Sequence, residues 1–166
     1  MVRPEGIFVY IRFDDIFTGI INFIFSLKKL KMQRTIQIST QAHNGLYDIT
    51  RQVKAIVAES GIQTGLINVY VQGATAGIMI QENWDQSVQN DVITLMRKLI
   101  PSGIWEHDAQ DNNGDSHLKA GIVGPSETIP VIQGKMGLST WQNIFFCEFD
   151  GPRNRSVIVK ITPFSS

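Results

Sequence analysis

The sequence predicts an α+β fold: one domain with a mixed or antiparallel β-sheet core and two main helices. Three observations carry that expectation. Apolar and polar residues alternate in Arg34–Thr40 with the period of a half-buried strand. Two longer segments instead place their apolar residues on one helical stripe. Helical segments are followed by a run of short strands, the order of an α+β rather than a βαβ chain.

The elements follow in order. After the strand Arg34–Thr40, Asn44-Gly45 makes a turn. Asp48 is placed to cap a helix with Ile49, Val53, Ile56 and Val57 on one stripe, and Gly61 stops it. Leu66–Val71 is rich in β-branched residues and reads as a strand, with Gly77–Ile80 as its neighbour across a bend of small residues. Ser87 is the expected cap of the second helix, whose face carries Val88, Val92, Leu95, Met96 and Leu99 and which Pro101 ends. Four short strands then follow: His117–Val123, Thr128–Ile132, Asn143–Phe149 and Ser156–Thr162. No internal repeat or low-complexity linker divides the chain.

Composition bounds the functional classes. A chain of 166 residues buries a real core without staples, and 43% hydrophobic with 18% charged residues is a globular balance rather than a disordered one. Fifteen basic and fifteen acidic side chains cancel, so the basic excess of a nucleic-acid binder is missing overall and no nucleic-acid partner is expected. The single Cys147 lies in the apolar run Ile144–Phe149 and has no intrachain partner. It reads as a buried small hydrophobe in a reducing, cytoplasmic compartment rather than as a catalytic thiol.

Residues 1–31 form an extension unlike the rest, rich in Ile and Phe and ending in Lys28-Lys-Leu-Lys31. Its apolar run is too short for a membrane helix, and its charges sit on the wrong side for a secretory signal. The expectation is that Met32 is the true start and that 32–166 is the domain, with no membrane contact for that part. The competing reading is an extra helix that covers apolar surface or touches a membrane face.

In the last third, polar residues, glycines and prolines interrupt apolar runs: Asn113-Gly-Asp-Ser-His117, Gly124-Pro-Ser126, Ile129-Pro-Val131, Gly137-Leu-Ser-Thr-Trp-Gln142 and Asp150-Gly-Pro-Arg-Asn-Arg155. Such breaks cost core stability and are expected at sites or interfaces. His107 and His117 flank the loop Asp108–Ser116, and imidazole serves both as a metal ligand and as a general acid or base. Their spacing matches no zinc finger or zincin, so two histidines bonded to backbone at strand ends is an equal reading. Glu82 is a candidate proton acceptor or third ligand, with a solvated strand-end glutamate as the alternative. Asp111, Asn113 and Asp115 mimic the opening of a calcium loop, but Ser116 and Ile122 replace the required Gly and Glu. Asn113-Gly114 is then a tight turn, and Asp115 orients a neighbour such as His117. Gly73–Gly77 lacks the ending of a P-loop, and Ser126 lies in no nucleophile elbow.

Arg153 and Arg155 are two apart, so on extended chain both guanidinium groups leave one face and suit a phosphate. A structural ion pair, for instance with Asp150, or a subunit contact is the equal alternative. Trp141 reads as core or interface rather than substrate platform, while Thr140 and Gln142 supply hydroxyl and amide groups for a ligand.

Together these words, above all Thr-Trp-Gln and Asp-Gly-Pro-Arg, resemble the YjbQ-like family from about Met32 to the C-terminus. Members of that family are described as secondary thiamine-phosphate synthases. The resemblance implies a homotrimer that joins hydroxymethylpyrimidine diphosphate to thiazole phosphate, giving thiamine phosphate and pyrophosphate. It implies His107, His117 and Glu82 as catalytic residues. Thr75, Asn113, Asp115, Thr140, Gln142, Asp150, Arg153 and Arg155 would surround the phosphorylated metabolite. His107 and His117 would bind a divalent metal, magnesium or zinc. One departure stands out: the family's His-Thr-Thr-Ala word is Gly73-Ala-Thr-Ala76 here, and its histidine is missing. The alternatives are a non-catalytic oligomeric protein that binds a metal or phosphometabolite, and a purely structural subunit.

Overall fold

The computed structural model describes residues 18–21 and 32–164. The expectation for residues 1–31 therefore falls outside the described residues, apart from a helical turn at 18–21. Among the described residues no helix is long and apolar enough to cross a membrane.

Among the described residues eight strands make two antiparallel sheets. The larger has the order β1-β8-β3-β5-β6, from β1 (Gln33–Ser39), β3 (Thr64–Val71), β5 (Ser126–Ile132), β6 (Lys135–Met136) and β8 (Asn154–Pro163). The smaller has the order β2-β7-β4, from β2 (Gly45–Asp48), β4 (Ala76–Glu82) and β7 (Gln142–Glu148). Within 32–164 four helices complete the α+β fold: α1 (Thr50–Ser60), α2 (Gln86–Leu99), the single turn α3 (Asp108–Asp111) and α4 (Gly114–Val123).

The main core unites Ile36, Ile67, Val69, Ile129, Val157 and Val159 of the larger sheet with Ile78, Ile144 and Phe146 of the smaller, and with Val53 and Val57 of α1. Strand β7 is buried on both faces. Alternate residues Phe145 and Cys147, with Phe149 just beyond the strand, join Met96 of α2 and Ala120 of α4 in a second core. Burial there pushes the Cys147 thiol up to about 12, so it is the inert small hydrophobe expected.

Helix α1 forms as its apolar stripe predicts. The N-cap position is Ile49, without a side-chain cap; the expected cap, Asp48, lies one residue earlier and its Oδ1 accepts from the Thr50 N–H at 2.8 Å, while Gly61 ends the helix in the left-handed region at φ 70°. On α2 the cap is Asp85, not the expected Ser87: the Asp85 carboxylate accepts from the Ser87 N–H at 2.7 Å. Of the predicted stripe on α2, Met96 is buried while Leu95 and Leu99 lie exposed.

The expected strand His117–Val123 is in fact α4. Its buried side is made of Asp115, Ser116, Lys119 and Ala120, whereas Leu118 and Ile122 face outward. Asp115 and Lys119, both 2% exposed, form an i,i+4 ion pair at 2.5 Å, and Ser116 Oγ donates to the Phe149 carbonyl at 2.5 Å. Buried charges hold only when paired, and helical spacing is what allows this pair. The turn expected at Asn44-Gly45 leads straight into the four-residue strand β2.

Candidate functional site

Three separate places receive the candidate residues. The first is the histidine pair. His107 ends the segment leading into α3, and His117 lies one turn into α4, where its N–H donates to the Asn113 carbonyl at 3.3 Å. The two rings meet edge to face, with centroids 5.0 Å apart and planes at 89°. They line a cavity of about 380 Å³ together with Trp105, Glu106, Gly114 and Leu118. Sequence reasoning missed the residue that brings them together. Asp108 Oδ2 accepts from the Trp105 N–H at 2.9 Å, and its Oδ1 accepts from the Gly114 N–H at 2.8 Å. One carboxylate thus ties the His107 turn to the start of α4. The Trp105 bond, chiefly, holds the Asp108 carboxyl below its ordinary 3.8 despite the opposing effect of partial desolvation.

The sign of that depression sets a pH dependence. A carboxyl lowered on folding contributes stability above its unfolded value and loses it as pH falls through the folded value. The tie between the two histidine segments therefore survives at neutral pH and fails only in acid below 3.8. Asp108→Ala is expected to separate the rings in a chain that still folds. Histidine-ring NMR would show the loss of their mutual ring-current shifts, and Asp108→Asn, which keeps one acceptor oxygen, would show less. Unchanged shifts in Asp108→Ala would remove Asp108 from this role.

The second place is a polar network at the ends of β4, β7 and β8. Glu148, fully buried, accepts from Arg155 Nε at 2.8 Å, Arg155 Nη2 at 2.6 Å, Thr40 Oγ1 at 3.2 Å and the N–H groups of Phe149 and Asp150 at 3.1 and 3.0 Å. Thr75 Oγ1 accepts from Arg155 Nη2 at 2.8 Å. The Glu148 bond, first of all, raises Arg155 above its ordinary value, so its charge is permanent. Arg153 folds back onto Asp150, with Nη2 2.6 Å from the carboxylate and Nε 2.7 Å from the carbonyl oxygen. The two guanidinium groups are thus held by different carboxylates. Asn113 Nδ2 donates to Asp150 Oδ2 at 3.2 Å, which links this network to the first turn of α4. A Cβ at Gly73, where the family histidine would stand, would lie 3.2 Å from Arg155 Nη1. The chain's third histidine, His43, lies at this end too, with Nδ1 3.4 Å from the Gly151 carbonyl. Gly151 is required by close approach: a Cβ there would meet the Ala42 carbonyl, and Thr40 Oγ1 at 2.9 Å.

The third place is the far end of the β4–β7 ladder. Glu82 pairs across it with Gln142 and lines a cavity with Trp84 and Trp141. Gln142 Oε1 accepts from the Ser139 N–H at 2.9 Å, closing the turn that contains the exposed Thr140. Glu82, Thr140 and Gln142 therefore belong with the tryptophans, and Glu82 shares no cavity with the histidines.

The donor set for a metal can be tested directly. Two imidazoles share one cavity, yet among the described residues no three His, Cys, Asp or Glu side chains are gathered to hold a metal ion. A zinc site takes at least three protein ligands, so the set within one subunit does not fit a resident zinc ion.

The geometry defines a class: a small two-sheet α+β protein with a histidine-lined cavity beside the start of one helix. Residues 34–163 match the family described as UPF0047 protein YjbQ-like, and the chain belongs to that family. UPF0047 protein MJ1081 of Methanocaldococcus jannaschii is 44% identical over 132 residues, covering 80% of this chain and 95% of that protein. UPF0047 protein YugU of Bacillus subtilis is 40% identical over 133 residues, covering 78% and 98%. A solved YbjQ-like protein from Sulfolobus solfataricus superposes with a TM-score of 0.77 at 37% identity, covering 80% of this chain and 96% of that one.

Proposed function

We propose that this protein is a transferase of the thiamine-phosphate synthase type, acting at the cavity lined by His107 and His117. One observation supports this most: two imidazoles from separate segments meet at 5.0 Å around an open cavity. In the proposed reaction the thiazole nitrogen attacks the methylene carbon of hydroxymethylpyrimidine diphosphate. A C–N bond forms as the C–O bond to diphosphate breaks, and pyrophosphate leaves. The barrier lies in charge gathering on the departing diphosphate, and histidine N–H donors aimed at it lower that barrier. The nucleophilic nitrogen carries no proton, so no base is needed and Glu82 is not required at the reacting centre. Magnesium is bound largely through substrate phosphates and would arrive with the diphosphate. The family resemblance implies a homotrimer, and the exposed Leu95 and Leu99 of α2 are compatible with a subunit contact.

Purified protein incubated with both precursors and magnesium is expected to release thiamine phosphate and pyrophosphate. His107→Ala and His117→Ala should each lower turnover by about 10²- to 10⁴-fold, the usual worth of an acid–base group. Arg153→Ala should change it little, since that side chain is already paired with Asp150. Turnover unaffected by both histidine variants would overturn this reading.

A second reading, a non-catalytic protein that binds a phosphometabolite or metal, draws on a different observation. Asn113 Oδ1 and Asp115 Oδ1 are buried acceptors with no hydrogen-bond donor among the described residues, and they sit in the turn leading to His117. Saturable diphosphate binding with no product from the precursors would favour it.

A further inference from the structure

Two tryptophans stand exposed at the end of the β4–β7 ladder, Trp84 by 68% and Trp141 by 51%. Their ring centroids are 4.7 Å apart and their planes stand at 84°. The corner is built rather than incidental. Glu82 pairs with Gln142 across the ladder, the Asn83 N–H donates to the Trp141 carbonyl at 3.2 Å, and Gln142 fastens the turn before Trp141. With Glu82 the two indoles line a cavity of about 390 Å³.

Glu82, the one charged residue that lines this cavity, is acidic, while Lys54 and Lys135 line a different cavity that also reaches Gln142. Asp85 caps α2 next to Trp84, and Asp48 accepts from Asn83 Nδ2 at 2.8 Å and Asn143 Nδ2 at 2.7 Å. Among the described residues no ion pair neutralises Glu82, Asp85 or Asp48. Perpendicular indole walls present negative π faces, and a cation within about 6 Å of a ring centroid is attracted to them. A bare metal ion would need several oxygen ligands, which one carboxylate between two apolar rings does not offer. A neutral apolar ligand would gain nothing from the Glu82 carboxylate.

We propose that Trp84, Trp141 and Glu82 form a binding site for a compact organic cation, a quaternary ammonium or an N-alkylated aromatic ring. The indoles hold its apolar shell and Glu82 faces its charge. This site shares no lining residue with the histidine cavity, so it stands independently of the reaction proposed there.

The test titrates the full chain at constant ionic strength with choline and with its neutral isostere 3,3-dimethylbutan-1-ol. Tryptophan fluorescence and the N-methyl proton shift are the readouts. Choline is expected to saturate, to bind about tenfold more tightly than the isostere, and to show upfield N-methyl shifts from the indole faces. Trp84→Ala should weaken choline binding about tenfold, Trp84→Phe should restore part of it, and Glu82→Gln should reduce the preference for the cation to the share that the indole faces supply. Circular dichroism establishes that each variant is folded. Equal binding of choline and isostere overturns the proposal, as does undiminished binding in Trp84→Ala. So does a failure of choline to bind, including the case in which sedimentation shows a second copy of the chain covering the two tryptophans.

Discussion

Glu148→Ala is expected to destabilise the protein by about 3–5 kcal/mol, the usual consequence of removing one partner from a buried ion pair. Glu148 is fully buried, and the Arg155 side chain, 11% exposed, has no other carboxylate at hydrogen-bond distance among the described residues. The substitution therefore leaves a guanidinium charge nearly out of water. It also strips acceptors from the Phe149 and Asp150 N–H groups, each a buried or half-buried donor whose loss is costly. Urea denaturation checks it: the midpoint should fall with little change in slope, since the surface exposed on unfolding is nearly the same. Glu148→Gln, which keeps one acceptor oxygen, should fall between. A loss under about 1 kcal/mol in Glu148→Ala would mean that Arg155 reaches water and that the network is a surface feature.

Asp115 and Lys119 make a sharper case because both are 2% exposed on one face of α4. Asp115→Ala alone strands an ammonium whose remaining acceptor is Asn44 Oδ1 at 3.4 Å, and should cost about 3–5 kcal/mol. Lys119→Met alone strands a carboxylate and should cost a similar amount. The double variant Asp115→Leu/Lys119→Met removes both desolvation penalties, and is expected between neutral and about 4 kcal/mol more stable than the native chain. That strong non-additivity is the signature of direct contact. Additive single effects would place the two groups in separate environments. The pair is also why α4 escaped a reading by hydrophobic pattern. An amphipathic helix announces itself by apolar residues on the buried stripe, and α4 does the reverse, with Leu118 and Ile122 outside and Asp115 and Lys119 inside. The β-branched Ile122 and Val123 then read as strand.

Elsewhere the pattern was legible where burial is one-sided or complete. Strands β1, β3, β5 and β8 alternate as half-buried strands do, and β7 is an apolar run because both its faces meet a core. Helix α1 follows its stripe because Val53 and Val57 close the space between the sheets. The stripe of α2 misled in part: only Met96 is buried, Val88 and Val92 are half-buried, and Leu95 and Leu99 lie exposed. For the site, chemistry was legible but partnership was not. His107 and His117 do converge, through Asp108, a residue that looked like loop. Arg155 looked like a phosphate fork because nothing in a single sequence reveals that Glu148, seven residues earlier in an apolar run, turns inward to meet it. Glu82 lay on the right strand but at the wrong end of it to meet the histidines.

The central claim, that His107 and His117 share one anion-holding cavity while the arginine turn is structural, can be read from three histidine signals. Inorganic diphosphate is titrated into the protein while the ring resonances of His43, His107 and His117 are followed by NMR. The account predicts that His107 and His117 shift together along one saturation curve, while His43, beside Gly151 in the Asp150–Arg155 turn, stays in place. Movement of His43 alone, with both cavity histidines unperturbed, would put the anion at the arginines and contradict it.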